Sequence, residues 1–298
     1  MKSIDSRQNW TAHAVAIAVV CCWGCTFVNT KYLLMGGMQP WEIFVCRFLL
    51  AYIAIWTISP RRLLADNWKD EALMCLLGLT GGSLYFLAEN EAIGITYVNN
   101  VSFIVCTAPL ITVVLALFFL RGVRASWRLV VGSLLALLGV ALVIFNGHFV
   151  LHLNPLGDWL ALVAATSWAV YSILMKLVAD RYSAVFITRK VFFYGLVTMA
   201  PMFAVQPWQF PLSGFLRPTI WMNILFLGFV ASFACFALWS WAISRVGAIK
   251  TSNYVYLNPI TTIIASTLFL NEPMTSMAWA GSLLILAGIY LANKAKDI

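Results

Sequence analysis

Long apolar stretches alternate with short polar joints along the whole chain. Ten stretches can be drawn, at roughly 12–35, 40–59, 71–93, 96–119, 127–146, 156–178, 183–205, 219–243, 247–270 and 277–294. A helix rising 1.5 Å per residue needs about 20 residues to cross ~30 Å of hydrocarbon. Lipid offers no partner to a backbone N–H or C=O, so stretches of this length predict helices. No polar stretch is long enough for a separate soluble domain. The pattern predicts an all-α membrane protein with ten transmembrane helices. The first stretch is too long for the core of a signal peptide and has no small-residue cleavage site, so it is read as an uncleaved helix.

Composition agrees with the pattern. Hydrophobic residues make up 62% of the 298 and charged residues 10%, where a soluble domain carries roughly 25% charged. A mean hydropathy of +0.88 leaves little polar surface and excludes a soluble protein with a large core. The net charge of +8 is assigned to loops rather than to nucleic-acid binding. With the N-terminus inside, the cytoplasmic segments collect Lys2, Arg7, Arg61, Arg62, Lys69, Arg121, Arg124, Arg128, Arg181, Lys294 and Lys296, while the opposite loops hold only Arg217. Positively charged loops stay inside, so both termini are expected in the cytoplasm. Trp10, Trp41, Trp68, Trp127, Trp208 and Trp279 fall near stretch ends, where interfacial aromatics are expected. The seven cysteines lie inside apolar stretches and are read as packing residues, Cys22 and Cys25 included.

The chain also repeats itself. Trp168, Ala169 and Lys176 match Trp23, Gly24 and Lys31. Gly78, Phe86, Ala92, Ile93 and Pro109 match Gly228, Phe236, Ala242, Ile243 and Pro259, all at an offset of 150. GSLLALLG (132–139) matches GSLLILAG (281–288). The predicted units are residues 1–146 and 147–298, with five helices each. An odd number per unit makes the second enter the membrane from the opposite side. Two such inverted repeats place a solute between them near the midplane and expose it alternately to either side.

Charges inside a bilayer need a partner or water. Arg47, Glu89, Glu91 and Lys31 fall in or near the outer half of the first unit, where opposite signs allow pairing. They make either a vestibule whose ion pairs re-form with access state or a static pair, with Lys31 free to snorkel. Lys176, Arg189, Lys190 and Arg245 are their inner counterparts in the second unit. Asp180 is the acid near them in sequence, and anionic headgroups account for most of these cations. Arg189, close to the repeat equivalent of Arg47, is the exception. Burial favours the neutral form of a carboxyl group, which makes Glu89 the candidate for proton coupling, with Arg47 opposing the effect. Trp23 and Trp168 pair by repeat position; with Tyr85, Phe86, Trp239 and Tyr254 they line a cavity or pack helices. Asn99, Asn100 and Asn258 can hydrogen-bond a solute or a neighbouring helix. Pro109 and Pro259, read as mid-helix, are candidate gating kinks.

WGCTFVNTK (23–31), Arg47 seven residues after Pro40, ENEAI (89–93) leading to Ala108-Pro109, and the closing NPITTIIASTLFLNEPMT (258–275) together resemble the EamA-type carriers of the drug/metabolite transporter superfamily. The resemblance covers nearly the whole chain. It implies a ten-helix carrier of amino acids, other metabolites or drugs, commonly an exporter, with a central cavity lined by helices 1, 3, 4, 6, 8 and 9. Glu272-Pro273 has no acidic counterpart in the first unit, where the turn reads RGVRAS. No nucleophile–base set, metal cluster or phosphate loop appears, so no cofactor and no enzyme activity are expected. The expected partners are a small-molecule solute and the lipid bilayer, in a bacterial inner membrane, and the oligomeric state stays open. An exporter of amino acids or related compounds is the first reading. An importer of a sugar or nucleotide-linked solute is the alternative, and an intramembrane enzyme or scaffold is the alternative of another class.

Overall fold

The computed structural model describes residues 6–59, 63–95, 98–120, 126–145, 154–270 and 275–294. All regular structure among them is helical. Where a helix runs on through a turn of different pitch we give it one label: α1 (Ser6–Met35), α2 (Pro40–Trp56), α3 (Trp68–Ile95), α4 (98–119), α5 (Trp127–Phe145), α6 (Pro155–Ala179), α7 (Ala184–Met199), α8 (Pro218–Val246), α9 (248–270) and α10 (Ser276–Asn293). Seven segments among the described residues are long and apolar enough to cross a membrane, against the ten expected. Of the other three helices, α2 has 17 residues, and α1 and α9 include residues whose side chains lie outside the described ones. The α4–α5 turn and the Glu272-Pro273 pair lie outside the described residues.

Helix ends follow local chemistry. Asn67, Asn154, Ser183 and Thr275 cap α3, α6, α7 and α10, each accepting from a backbone N–H in the first turn and so satisfying one of the donors a helix start leaves open. Pro40, Pro155 and Pro218 stand at the first position of their helices, where a missing N–H costs nothing. Gly37 (φ 98°) and Gly247 (φ 96°) turn the chain at opposite ends of the bundle, and we name the ends after them.

Repeat-matched segments share their irregularities. α3 contains a π-turn at Leu79–Ser83, kinked at Gly82 where the backbone leaves helical angles (φ -120°, ψ -105°), and α8 one at Phe226–Ala234; the two overlap at the offset of 150. α4 breaks at Cys106–Thr107 and resumes at Ala108; α9 passes through a 3-10 turn at Asn253–Leu257 and resumes at Asn258. Pro109 and Pro259 are therefore not mid-helix. Each is the second residue of a renewed helix, the position at which the ring displaces no hydrogen bond.

α5 and α10 pack against each other reciprocally. A Cβ on Gly139 would come 2.6 Å from the Gly281 carbonyl, and one on Gly281 would come 2.6 Å from the Gly139 carbonyl. Gly132 meets Ala292 and the Gly288 carbonyl, while Gly288 meets Ala136 and the Gly132 carbonyl. Rising numbers in α5 meet falling numbers in α10, so the two helices run antiparallel. Glycine is what lets these backbones touch.

The two ends are fastened differently. At the Gly247 end, Asp70 accepts from the Arg181 guanidinium and, at 2.7 Å, from the Tyr182 hydroxyl. Glu71 accepts from Lys190, Tyr194 and the Ala65 backbone N–H. Arg189 donates to the Ser59 carbonyl and lies over Trp56, 4.7 Å from the ring centroid. Of the second-unit cations, Arg181 and Lys190 thus take acids from α3, while Lys176 pairs with Asp180, its neighbour in sequence, at 3.5 Å. At the Gly37 end the buried Glu42 accepts from the Gln39 N–H at 2.8 Å and, across the bundle, from the Gln209 and Phe210 N–H groups at 2.6 and 2.9 Å. This folds the 206–217 connection over α2, where Trp41 packs on Phe203 and Trp208. Trp41 is 1% exposed, so it is not the interfacial aromatic expected. Trp10, Trp68, Trp127 and Trp279 do project outward.

Two outcomes follow. Gly281→Val should strain the α5–α10 contact by about 1–3 kcal/mol, seen as a lower melting temperature in detergent; an unchanged one would contradict the close approach. Glu42→Ala leaves the buried Phe210 donor unpaired, at a cost of about 1–3 kcal/mol, and releases the exposed Gln209 as well. Chymotryptic cleavage after Trp208 should then be faster than in wild type, and equal rates would show that the clamp does not hold the loop.

Candidate functional site

Halfway along the bundle, α1, α3, α6 and α8 each contribute an aromatic side chain to one cluster. Trp23 meets Trp168 edge-on at 5.3 Å between centroids, and it lies 5.0 Å from Trp239 and 5.7 Å from Phe236. Trp168 also meets Tyr85 and Tyr171, both at 5.1 Å, and Tyr85 meets Phe86 at 5.0 Å. The sequence-predicted Trp23, Tyr85, Phe86, Trp168 and Trp239 are therefore brought together, with Phe236, the repeat match of Phe86, among them. Trp23 and Tyr85 remain half-buried while the others are buried.

Local packing sets these rings. Gly24 lets α9 press against α1 beside Trp23: a Cβ there would collide with Thr261, and Thr262 donates to the Gly24 carbonyl at 3.1 Å. The Trp23 indole N–H donates to the Ala231 carbonyl at 2.9 Å, inside the π-turn of α8. Trp168 and Trp239 have buried indole N–H groups with no hydrogen-bond acceptor among the described residues.

Charge of both signs stands on the Gly37 side of the cluster. Glu89, one turn beyond Tyr85 on α3, is buried and accepts from the Tyr85 hydroxyl at 2.8 Å. Arg47, from α2, is buried; its Nε donates to Ser232 Oγ at 2.8 Å and its guanidinium lies 4.5 Å from the centroid of Phe86. Among the described residues Arg47 makes no ion pair; a serine and an aromatic face hold it instead. Such a face attracts a cation, more strongly when water is excluded. The arrangement offers a guanidinium to an anion, a carboxyl group to a cation and aromatic faces to an apolar or cationic group.

Other predicted residues stand apart. Tyr254 pairs with His13, its hydroxyl 2.8 Å from Nδ1; His13 is ten residues before Trp23, about 15 Å along the helix, towards the Gly247 end. Asn258 begins the second segment of α9 with a buried Oδ1 that lacks a partner among the described residues. Glu91 is half-buried on α3. Arg189 belongs to the Gly247-end network. The side chains of Lys31, Asn99 and Asn100 lie outside the described residues. No set of three or more His, Cys, Asp or Glu among the described residues converges as metal ligands.

Sequence reasoning did not find Glu42, Asp70, Glu71, Ser167 or Ser232. Glu42 carried one readable signal, its place three residues after Gln39 at a proline-started helix. Asp70 and Glu71 follow Asn67 as first-turn acids, a pattern that marks a helix start and says nothing of distant partners. The two serines carried no signal.

The packing is also uneven along the bundle. Towards the Gly247 end, the Ala108–Phe119 segment of α4 packs directly on 248–257 of α9. Towards the Gly37 end, Val98–Val105 lies on α5 and α6, while Asn258–Leu270 lies on α1 and α5.

Comparison with known proteins places this arrangement. A description as the EamA-like transporter family matches residues 10–145 and again 155–294. An "Uncharacterized transporter" of Archaeoglobus fulgidus is 28% identical over 97% of this chain and 100% of that protein. A "Probable terminal-alkyne amino-acid exporter" of Streptantibioticus cattleyicolor is 25% identical over 97% and 94% of the two chains. A "Probable amino-acid metabolite efflux pump" of Escherichia coli is 25% identical over 93% of each. A crystal structure 18% identical superposes with a TM-score of 0.76, covering 95% of this chain and 96% of that one, which bears on the fold alone. With two matched repeats and several apolar helices, this is a multi-pass membrane protein, and it belongs to the EamA-like transporter family.

Proposed function

We propose that the protein is a secondary transporter that exports amino acids or related small metabolites by alternating access. One observation carries the reading. The floor formed by Trp23, Trp168 and Trp239 lies beside a buried arginine and a buried glutamate that make no direct ion pair with each other among the described residues, the one hydrogen-bonded to Ser232 and the other to Tyr85. A zwitterion with an apolar side chain matches all three: its carboxylate suits Arg47, its ammonium suits Glu89 or a ring face, and its side chain suits the tryptophans. A phosphorylated solute would call for a dense basic site instead. Two similar proteins are named for amino-acid export or efflux, in line with this choice.

In the same reading the chain makes ten membrane crossings as two inverted five-helix repeats, broadly 1–146 and 147–298. The reciprocal, antiparallel glycine contacts of α5 and α10 support it, since the Gly139–Gly281 contact is the repeat equivalent of the Gly288–Gly132 contact, as a two-fold axis across the helices requires. The Gly247 end, rich in Arg and Lys, is the cytoplasmic one, with both termini on that side of a bacterial inner membrane. Direct α4–α9 packing below the aromatic floor makes the present conformation closed towards the cytoplasm. Glu89 is the proton-coupling group: it is buried, 7% exposed, and joined to the floor through Tyr85. Pro109 and Pro259, where α4 and α9 restart, are the gating points.

Alanine at Trp23, Arg47 or Glu89 should each lower phenylalanine flux in proteoliposomes by at least tenfold, the equivalent of about 1.4 kcal/mol, with the amount of inserted protein unchanged. Wild-type flux in all three would sink the site assignment. Glu89→Gln should abolish the response of flux to an imposed pH gradient, and a persisting response would remove Glu89 from that role.

A further inference from the structure

The aromatic floor is held by two hydrogen bonds that cross between the units. In one, the Trp23 indole of α1 donates to the Ala231 carbonyl, inside the π-turn of α8, at 2.9 Å. In the other, the hydroxyl of Ser167 on α6 donates to the Thr80 carbonyl, inside the π-turn of α3, at 2.7 Å. Repeat matching puts Trp23 opposite Trp168, the neighbour of Ser167, and the acceptor Ala231 opposite Gly81, one residue from Thr80. Each tryptophan-bearing helix thus docks on a π-turn of the other unit. The donor differs: in α1 it is the tryptophan itself, and in α6 it is the serine before the tryptophan.

The difference has a chemical consequence. Trp23 spends its N–H on the docking bond. Trp168 keeps its N–H, buried and without an acceptor among the described residues, because Ser167 makes the docking bond in its place. Gly81 allows the approach, since a Cβ there would enter the ring of Tyr171, the residue one turn beyond Ser167 on α6. Turns of this kind are rare and frequently found at functional sites, and here both copies serve as docking points.

We propose that Ser167 is a positioning residue for transport: through the Thr80 carbonyl it fixes the orientation of Trp168 and leaves that indole N–H available to an acceptor oxygen of the solute. This rests on the solute-floor reading for its second half only; the positioning by Ser167 stands apart from it.

The experiment keeps the two apart. The full-length protein is labelled with 5-fluorotryptophan, and the Trp168 signal is identified as the fluorine resonance that vanishes in Trp168→Phe. Ser167→Ala should shift and broaden that resonance, and Ser167→Thr, which restores the hydroxyl, should return it to its wild-type place. In proteoliposomes, Ser167→Ala should raise the KM for phenylalanine roughly three- to tenfold, the effect of one lost hydrogen bond, with Vmax nearly unchanged and threonine restoring it. An unmoved Trp168 resonance in Ser167→Ala, or no recovery in Ser167→Thr while the protein still inserts, overturns the positioning role. A moved resonance with unaltered KM upholds the positioning and counts against the solute floor.

Discussion

An indole N–H and a serine hydroxyl, each given to a carbonyl in the other unit, join the two units at mid-depth. Most else in the structure is arranged around that junction. The bonds lie in a medium where an unmet donor or acceptor costs more than in water, so the helices bearing them have little freedom to slide. α1 is pinned to α8 and α6 to α3 at the same level, and the rings of Trp23 and Trp168 meet where the pins meet. Arg47 joins the same turn of α8 through Ser232, one residue beyond the acceptor of Trp23. Charge and aromatic surface are therefore set by one short, irregular stretch of backbone.

Away from the junction, the units are joined by different means at each end. Carboxylates of α3 take cations and tyrosines from α6–α7 at the Gly247 end, whereas a single carboxylate of α2 takes backbone donors of the 206–217 connection at the Gly37 end. Ion pairs and backbone clamps respond differently to water. A pair such as Asp70 with Arg181, on a half-exposed arginine, gives little energy once solvated, while the Glu42 clamp leaves the buried Phe210 donor stranded when broken. The proposed alternating access needs ends that open separately, and these two fastenings have no group in common.

Much of this could be read from the residues. Hydropathy located the segments, and the offset of 150 aligned helices whose π-turns and breaks overlap. Spacing placed Trp23, Tyr85, Phe86, Trp168 and Trp239 well enough to anticipate their meeting, because repeat-matched positions on α1 and α6 face the same axis. What escaped was of another kind. The partners of Lys190 and Arg181 come from α3, more than a hundred residues away, and no local pattern announces such a pairing. Trp41 looked interfacial because it begins a helix, but a distant loop folds over it. Pro109 looked like a kink until the break before it became visible. Backbone irregularities have almost no sequence signature, so Ser167, whose importance lies in a π-turn of another helix, was invisible.

The central claim is that this chain moves a small zwitterionic solute across the membrane. The most direct measurement is a broad survey of internal metabolites in cells with and without the protein. The account predicts that amino acids or closely related zwitterions build up inside when the protein is absent and fall when it is restored. No difference in any such compound, or a difference confined to sugars, nucleotide-linked solutes or a chemically altered product, would contradict it.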